Sequence, residues 1–173
     1  MQFTEQFRSF VSEGDSIDVE INGIIYRATI KHDVDAGSPD DEQDGFWPSL
    51  KPDDPGFIGN KSRRTFGRAL AQAKEIMRAW QADEWFWCGV VISAHLAVDE
   101  YDHDTGRFEV DLSDHCASLW RVECNYPTFR KKDVANSYLN TVANELLTEA
   151  VEVGEASAKA MLERLSKRGS VAA

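Results

Sequence analysis

The sequence predicts an α+β domain, a twisted antiparallel sheet with helices packed on one face and a long C-terminal helix. Three observations predict it. A hairpin signature occupies 16–32, apolar stripes at helical spacing occupy 62–82 and 133–167, and an aromatic, β-branched run at 85–96 suits a central strand. With 173 residues, 42% of them hydrophobic, the chain can bury a core without disulfides or metals and reads as a single domain over 1–173.

The elements follow in order. Phe3, Phe7, Phe10 and Val11 recur at helical spacing before Gly14, which predicts a short amphipathic helix over 3–13. Ile17, Val19 and Ile21 alternate with Asp18 and Glu20, then Asn22-Gly23 supplies two residues that tolerate positive φ, and Ile24, Tyr26, Ala28 and Ile30 alternate on the return. This is the strongest local signal, a hairpin with a primed turn. Residues 33–60 form a long connection rich in Asp, Pro and Gly, which predicts either a functional loop or disorder; Phe46, Trp47 and Phe57 favour its docking on the body. Phe66, Leu70, Ala73, Met77 and Trp80 form one stripe of a helix over 62–82.

A three-stranded meander is expected next, from strands at 85–96, 107–112 and 117–124. In the first of these, Cys88, Val90, Ile92 and Ala94 share one face, while Trp85, Trp87, Gly89, Ser93 and His95 share the other. Leu139, Val142, Ala143, Leu146, Leu147, Ala150 and Val153 make the apolar face of the last helix, with Gly154 expected to kink or divide it. The tail at 168–173 is expected to fray.

Composition narrows the function. The formal net charge is −11, so the chain as a whole repels nucleic acid and anionic membrane. No apolar run is long enough to span a bilayer and no secretory signal opens the chain, which points to the cytoplasm. Cys88, Cys116 and Cys124 form no C-x-x-C pair and read as reduced, buried thiols. Signatures for nucleophilic, zinc-dependent, P-loop and dinucleotide chemistry are absent, so the expectation is a non-enzymatic protein without metal or cofactor.

Charge is not spread evenly. Eight acids stand between Asp33 and Asp54 against Lys51 alone, among them Asp40, Asp41, Glu42 and Asp44. Seven more lie between Asp99 and Asp114 against Arg107. A third set, Glu145, Glu149, Glu152 and Glu155, recurs at helical spacing, with neighbouring carboxylates about 5–6 Å apart by Cβ. That spacing is of the order of successive phosphates along a nucleic-acid strand. An array of this kind can compete for a cationic groove built for DNA or RNA. The plainer alternative is a solvated acidic coat. Trp85 and Trp87 offer an aromatic anchor for a partner if their strand face is uncovered, and core if it is not. Left uncovered, the same pair would also support a homo-oligomeric structural protein.

One signal points the other way. The order helix, three strands, helix over 62–167 resembles that of double-stranded-RNA-binding domains, and Arg130-Lys131-Lys132 resembles the lysine-rich helix start with which that family holds phosphates. Lys131 and Lys132 would then carry RNA binding, although the acids at 99–114 would sit close to the expected RNA face.

Three further segments, Asp83-Glu84-Trp85-Phe86-Trp87-Cys88-Gly89-Val90-Val91, Ser118-Leu119-Trp120-Arg121-Val122-Glu123 and Tyr138-Leu139-Asn140-Thr141-Val142-Ala143-Asn144-Glu145-Leu146, resemble a family of small acidic proteins of bacteriophages and plasmids. The resemblance covers about residues 65–150 and implies a mobile-element origin and no assigned activity. The leading expectation is therefore an accessory protein that binds a basic surface on a host nucleic-acid-handling or defence complex, an anti-CRISPR or anti-restriction inhibitor acting as a DNA mimic.

Overall fold

A computed structural model describes residues 1–59, 63–102, 106–129 and 136–169. Four antiparallel strands in the order β1-β2-β3-β4 make one sheet: β1 (Ser16–Ile21), β2 (Ile24–His32), β3 (Phe86–Asp102) and β4 (Gly106–Cys124). Among the described residues three helices accompany it, α1 (Pro39–Glu42), α2 (Arg63–Gln81) and α3 (Ser137–Gly169). The α+β class, the antiparallel sheet and the long C-terminal helix are those the sequence predicts.

The hairpin forms in the expected register. Ile21 pairs with Ile24, and Asn22 and Gly23 take φ of 55° and 79°, the double positive φ of a primed turn. The segments 107–112 and 117–124, expected as separate strands, are one strand, so the meander is a single β3–β4 hairpin. Residues 113–116 carry no turn chemistry strong enough to break the ladder, and register shifts absorb their irregularity. Near the end of β4 two residues, Trp120 and Arg121, oppose one, Gly89, on β3. Leu119 pairs with Val90 and Val122 with Cys88, and Arg121 sits at φ 61°. This bulge leaves Leu119 and Trp120 exposed although the alternating pattern runs through them.

One sheet face is apolar. Ile17, Ala28, Ile92 and Ala117 line up across all four strands, with Tyr26 and Ala94 beside them, and Leu139, Val142, Ala143, Leu147, Ala150 and Val151 of α3 cover them. Gly154 does not divide α3, which is continuous. A Cβ there would lie 2.7 Å from the Tyr26 ring and 3.1 Å from Ala94 Cβ, so glycine permits the close approach of helix and sheet.

No helix forms at 3–13. Phe3, Phe7 and Val11 are buried, as their spacing predicts, but against α3. The backbone N–H of Phe3 donates to Asn144 Oδ1 (2.7 Å), that of Phe7 to Asn140 Oδ1 (2.8 Å) and that of Val11 to Asn125 Oδ1 (3.0 Å). Asn136 Nδ2 donates to Ser9 O (3.0 Å) and to Asn125 Oδ1 (2.9 Å). The four-residue period therefore records the pitch of the neighbouring helix. Asparagine amides take the place of intrahelical partners for N–H groups that burial would otherwise orphan.

The connection at 33–59 is folded. It contains α1, a bridge between Ser49 and Phe57, a Ser49 Oγ–Asp54 bond of 2.6 Å and an edge-on Phe46–Trp47 contact. α2 lays Ala79 and Ile76 on a second, smaller cluster built around Trp85 and Trp87, away from the α3 core.

Candidate functional site

The acidic set on α3 has the geometry required of a fixed array. At 100° and 1.5 Å per residue, Glu145, Glu149 and Glu152 fall within about 60° of arc and about 10 Å of axis. All three are exposed, on the side of the helix away from Leu139, Leu147 and Ala150. None is ion-paired among the described residues. One carboxylate per about 5 Å is sparser than the roughly 3.4 Å between phosphates of a single strand. Glu155 lies about 60° further round the helix. It accepts a bond from Asn22 Nδ2 (3.1 Å), which ties it to the β1–β2 turn.

The loop acids divide. Glu42 accepts from the Gly37 N–H (2.9 Å) and pairs with Arg121, so its charge is neutralised within the fold. Asp40 accepts from Trp47 Nε1 (3.1 Å) and lies 2.6 Å from Ser38 Oγ; these bonds, the Ser38 one foremost, hold its carboxyl below the ordinary range. Asp41 shares the same hydroxyl, and Asp44 is exposed. Asp40, Asp41 and Asp44 thus remain as fixed negative charges around α1.

The acidic region at 99–114 contributes less than its composition suggests. Glu109 shares Arg27 with Asp18, at 3.0 and 2.7 Å, on the sheet face turned away from α3. Asp111 accepts from His95. Beyond these, the side chains at 97–108 lie outside the described residues, as do Lys131 and Lys132.

Trp85 and Trp87 do not form an exposed anchor. Trp85 is 1% and Trp87 7% exposed, because α2 and Tyr126 cover them. Trp85 Nε1 donates to Ile76 O (2.9 Å) and the two indoles meet edge to face. Trp87 differs in one respect. Its Nε1 is the one buried side-chain polar atom among the described residues without a hydrogen-bond partner, a condition that costs about 1–3 kcal/mol. Trp87 also forms a wall of a cavity of about 350 Å³ between the 33–59 connection, the β4 bulge and the start of α3.

Two arrangements were not read from the sequence. The first is this cavity, which combines residues from four separate segments and leaves no linear signal. The second is a relay on the sheet face opposite α3. Ser93 Oγ lies 2.7 Å from His95 Nε2, and His95 Nδ1 lies 2.8 Å from Asp111 Oδ1. Ser93 and His95 were legible as residues of one strand face; Asp111 joins them only through the β3–β4 register, in which it pairs with His95. The order Ser-His-Asp matches an acyl-transfer relay, but such chemistry also needs donors aimed at the developing oxyanion. Here Ser93 and Ala94 belong to a central strand paired on both sides, and Asp111 is 70% exposed where a triad carboxylate is enclosed. The relay satisfies a buried histidine in the middle of a polar sheet face.

Among the described residues no helix is long and apolar enough to cross a membrane. The three cysteines are free and buried, and a hydrogen bond with Cys124, together with burial, drives the Cys88 thiol far up, away from thiolate chemistry. Comparison with protein-family models, curated proteins and solved structures finds no match for the chain.

Proposed function

We propose that this protein is a non-enzymatic acidic binder that occupies a cationic, nucleic-acid-binding surface of a host complex and blocks it, in the manner of an anti-restriction or anti-CRISPR protein of a phage or plasmid, acting in the host cytoplasm. The observation that carries the reading is the row Glu145, Glu149 and Glu152, exposed on a continuous helix and left without internal counter-ions among the described residues. A carboxylate held on a rigid, packed helix costs little ordering entropy when it docks, unlike one on a flexible coat. The exposed acids Asp40, Asp41 and Asp44 extend the negative field from a folded loop.

Labelled duplex DNA bound to purified restriction and CRISPR effector complexes provides the test. The wild-type protein is expected to displace the duplex from its target complex, with an apparent affinity that falls steeply with salt. Glu145→Lys, Glu149→Lys and Glu152→Lys together reverse three exposed charges, at about 1 kcal/mol each, and are expected to weaken displacement roughly a hundredfold. Equal displacement by the folded triple variant, or displacement that is indifferent to salt, overturns the reading.

A further inference from the structure

Cations are segregated in this fold as firmly as acids. At 100° and 1.5 Å per residue, Arg63, Arg64, Arg68 and Lys74 of α2 fall within about 140° of arc and about 16 Å of axis. All four are exposed, and none has an ion-pair partner among the described residues. The one carboxylate on the same arc, Glu75, is engaged by Arg78 (2.8 Å), which also binds Glu84 (2.7 Å). It therefore offers its charge to none of the other four.

The shape of this face is as specific as its charge. Gly67 and Ala71 occupy the middle of the arc, with Arg63 and Lys74 to one side and Arg64 and Arg68 to the other. No described atom lies within 4 Å of where a Cβ at Gly67 would sit, so the low crest is open. Ile76, Ala79 and Trp80, which pack on the Trp85–Trp87 cluster, lie outside the arc. That cluster belongs to the sheet face opposite α3, so the cations and the row Glu145, Glu149 and Glu152 stand on opposite sides of the sheet. The 33–59 connection, which carries the acids of α1, meets α2 at Ala69, Gln72 and Ala73, on the flank behind the cations. An anion thus has one approach, from the outer side.

We propose that the outer face of α2 binds duplex DNA, seated in the major groove and held by the phosphates on its two rims. A helix with its side chains is about 10–12 Å across and the groove is about 12 Å wide. Two rows of cations astride a low crest match two rows of phosphates astride a groove. Three of the four are arginines, whose planar fork grips a phosphate through two parallel bonds. Gly67 and Ala71 present no polar group to the base edges, so binding is independent of base sequence. A carboxylate surface on a protein supplies the charge but neither the groove nor the paired rims. Direct contact with DNA goes beyond the mimicry assigned to α3: one face of the sheet meets a cationic protein surface and the other meets the nucleic acid.

The experiment titrates the full chain into a fluorescein-labelled duplex of about 20 base pairs and follows anisotropy from 25 to 200 mM NaCl. No effector complex is present, so the outcome is separate from displacement by the α3 row. Saturable binding is expected, equal within about twofold for AT-rich and GC-rich duplexes. Four phosphate contacts predict a slope of log affinity against log salt of about −3.5. Arg64→Gln with Arg68→Gln is expected to reduce that slope by about 2 and to weaken binding at least tenfold at 50 mM NaCl. Gly67→Leu leaves the charge intact and fills the crest, and is expected to weaken binding at least tenfold as well. Lys159→Gln with Lys167→Gln, on α3, is expected to change affinity by less than about twofold. No binding at 25 mM NaCl, an unchanged slope in the folded arginine variant, or full affinity in the folded Gly67→Leu variant overturns the proposal. So does labelled poly-glutamate that binds as tightly as the duplex, which would make the face a dock for acidic protein.

Discussion

Replacing Gly154 with alanine puts the packing argument at risk in a measurable way. In an exposed helix interior this substitution stabilises by about 1 kcal/mol, because glycine loses more backbone freedom on folding. At position 154 the new Cβ would lie 2.7 Å from Tyr26 Cε1, 2.8 Å from Tyr26 Oη and 3.1 Å from Ala94 Cβ. Tyr26 is fully buried and its hydroxyl reaches Val151 O at 3.4 Å, so the ring has no solvent side to retreat to. Overpacking of this kind costs about 1–3 kcal/mol, and displacing the hydroxyl adds about 1 kcal/mol. Offset by the propensity gain, the expected net loss is about 2 kcal/mol. For a chain of 173 residues that lowers Tm by roughly 4–8 °C. Gly67 in α2 supplies the control, because a Cβ there meets nothing within 4 Å. Gly67→Ala is expected to leave Tm unchanged or raise it by about 2–4 °C. Differential scanning calorimetry of both variants decides the matter. Stabilisation by Gly154→Ala equal to that of Gly67→Ala would refute the close approach of α3 to Tyr26.

The remaining predictions concern the N-terminal segment, the buried carboxyl and the relay. Asn140→Ala and Asn144→Ala each remove an acceptor from a buried segment and are expected to cost about 1–2 kcal/mol, with faster amide exchange at Phe7 and Phe3 respectively in hydrogen-exchange NMR; unchanged protection would show that the segment is held otherwise. Burial raises the Glu123 carboxyl above its ordinary 4.5, so the folded state binds more protons there than the unfolded chain. That residue's contribution is therefore most favourable below pH 4.5 and declines as pH rises through the raised value, and Glu123→Gln is expected to flatten this part of the stability profile in urea titrations at stepped pH. Asp111→Asn keeps an acceptor for His95 on a largely exposed side chain and is expected to change stability by less than about 1 kcal/mol, whereas His95→Ala opens a cavity under a polar face and is expected to cost about 2 kcal/mol or more by the same measurement.

The sequence by itself determined the parts whose physics is local. Asn22-Gly23 between two alternating runs fixes a primed hairpin, because only residues at ease with positive φ make that turn. Stripes at helical spacing give α2 and α3, and the same spacing puts Glu145, Glu149 and Glu152 on one exposed face before any coordinate is seen. Tertiary structure decided whatever depends on a partner element. Phe3, Phe7 and Val11 carry a helical period yet form no helix, since Asn144 and Asn140 of α3 and Asn125 just beyond β4 accept from their backbone N–H groups. Gly154 carries the mark of a breaker and is instead the point where helix meets sheet. Trp85 and Trp87 read equally as anchor and core until α2 and Tyr126 cover them. Whether an acid is free or spent, as Glu149 has no ion-pair partner among the described residues and Glu42 is paired with Arg121, depends on which distant side chain folding brings to it. The cavity at Trp87 and the Ser93–His95–Asp111 relay belong wholly to this second kind. Strand register and a single bulge bring their members together, and neither leaves a periodic trace in the chain.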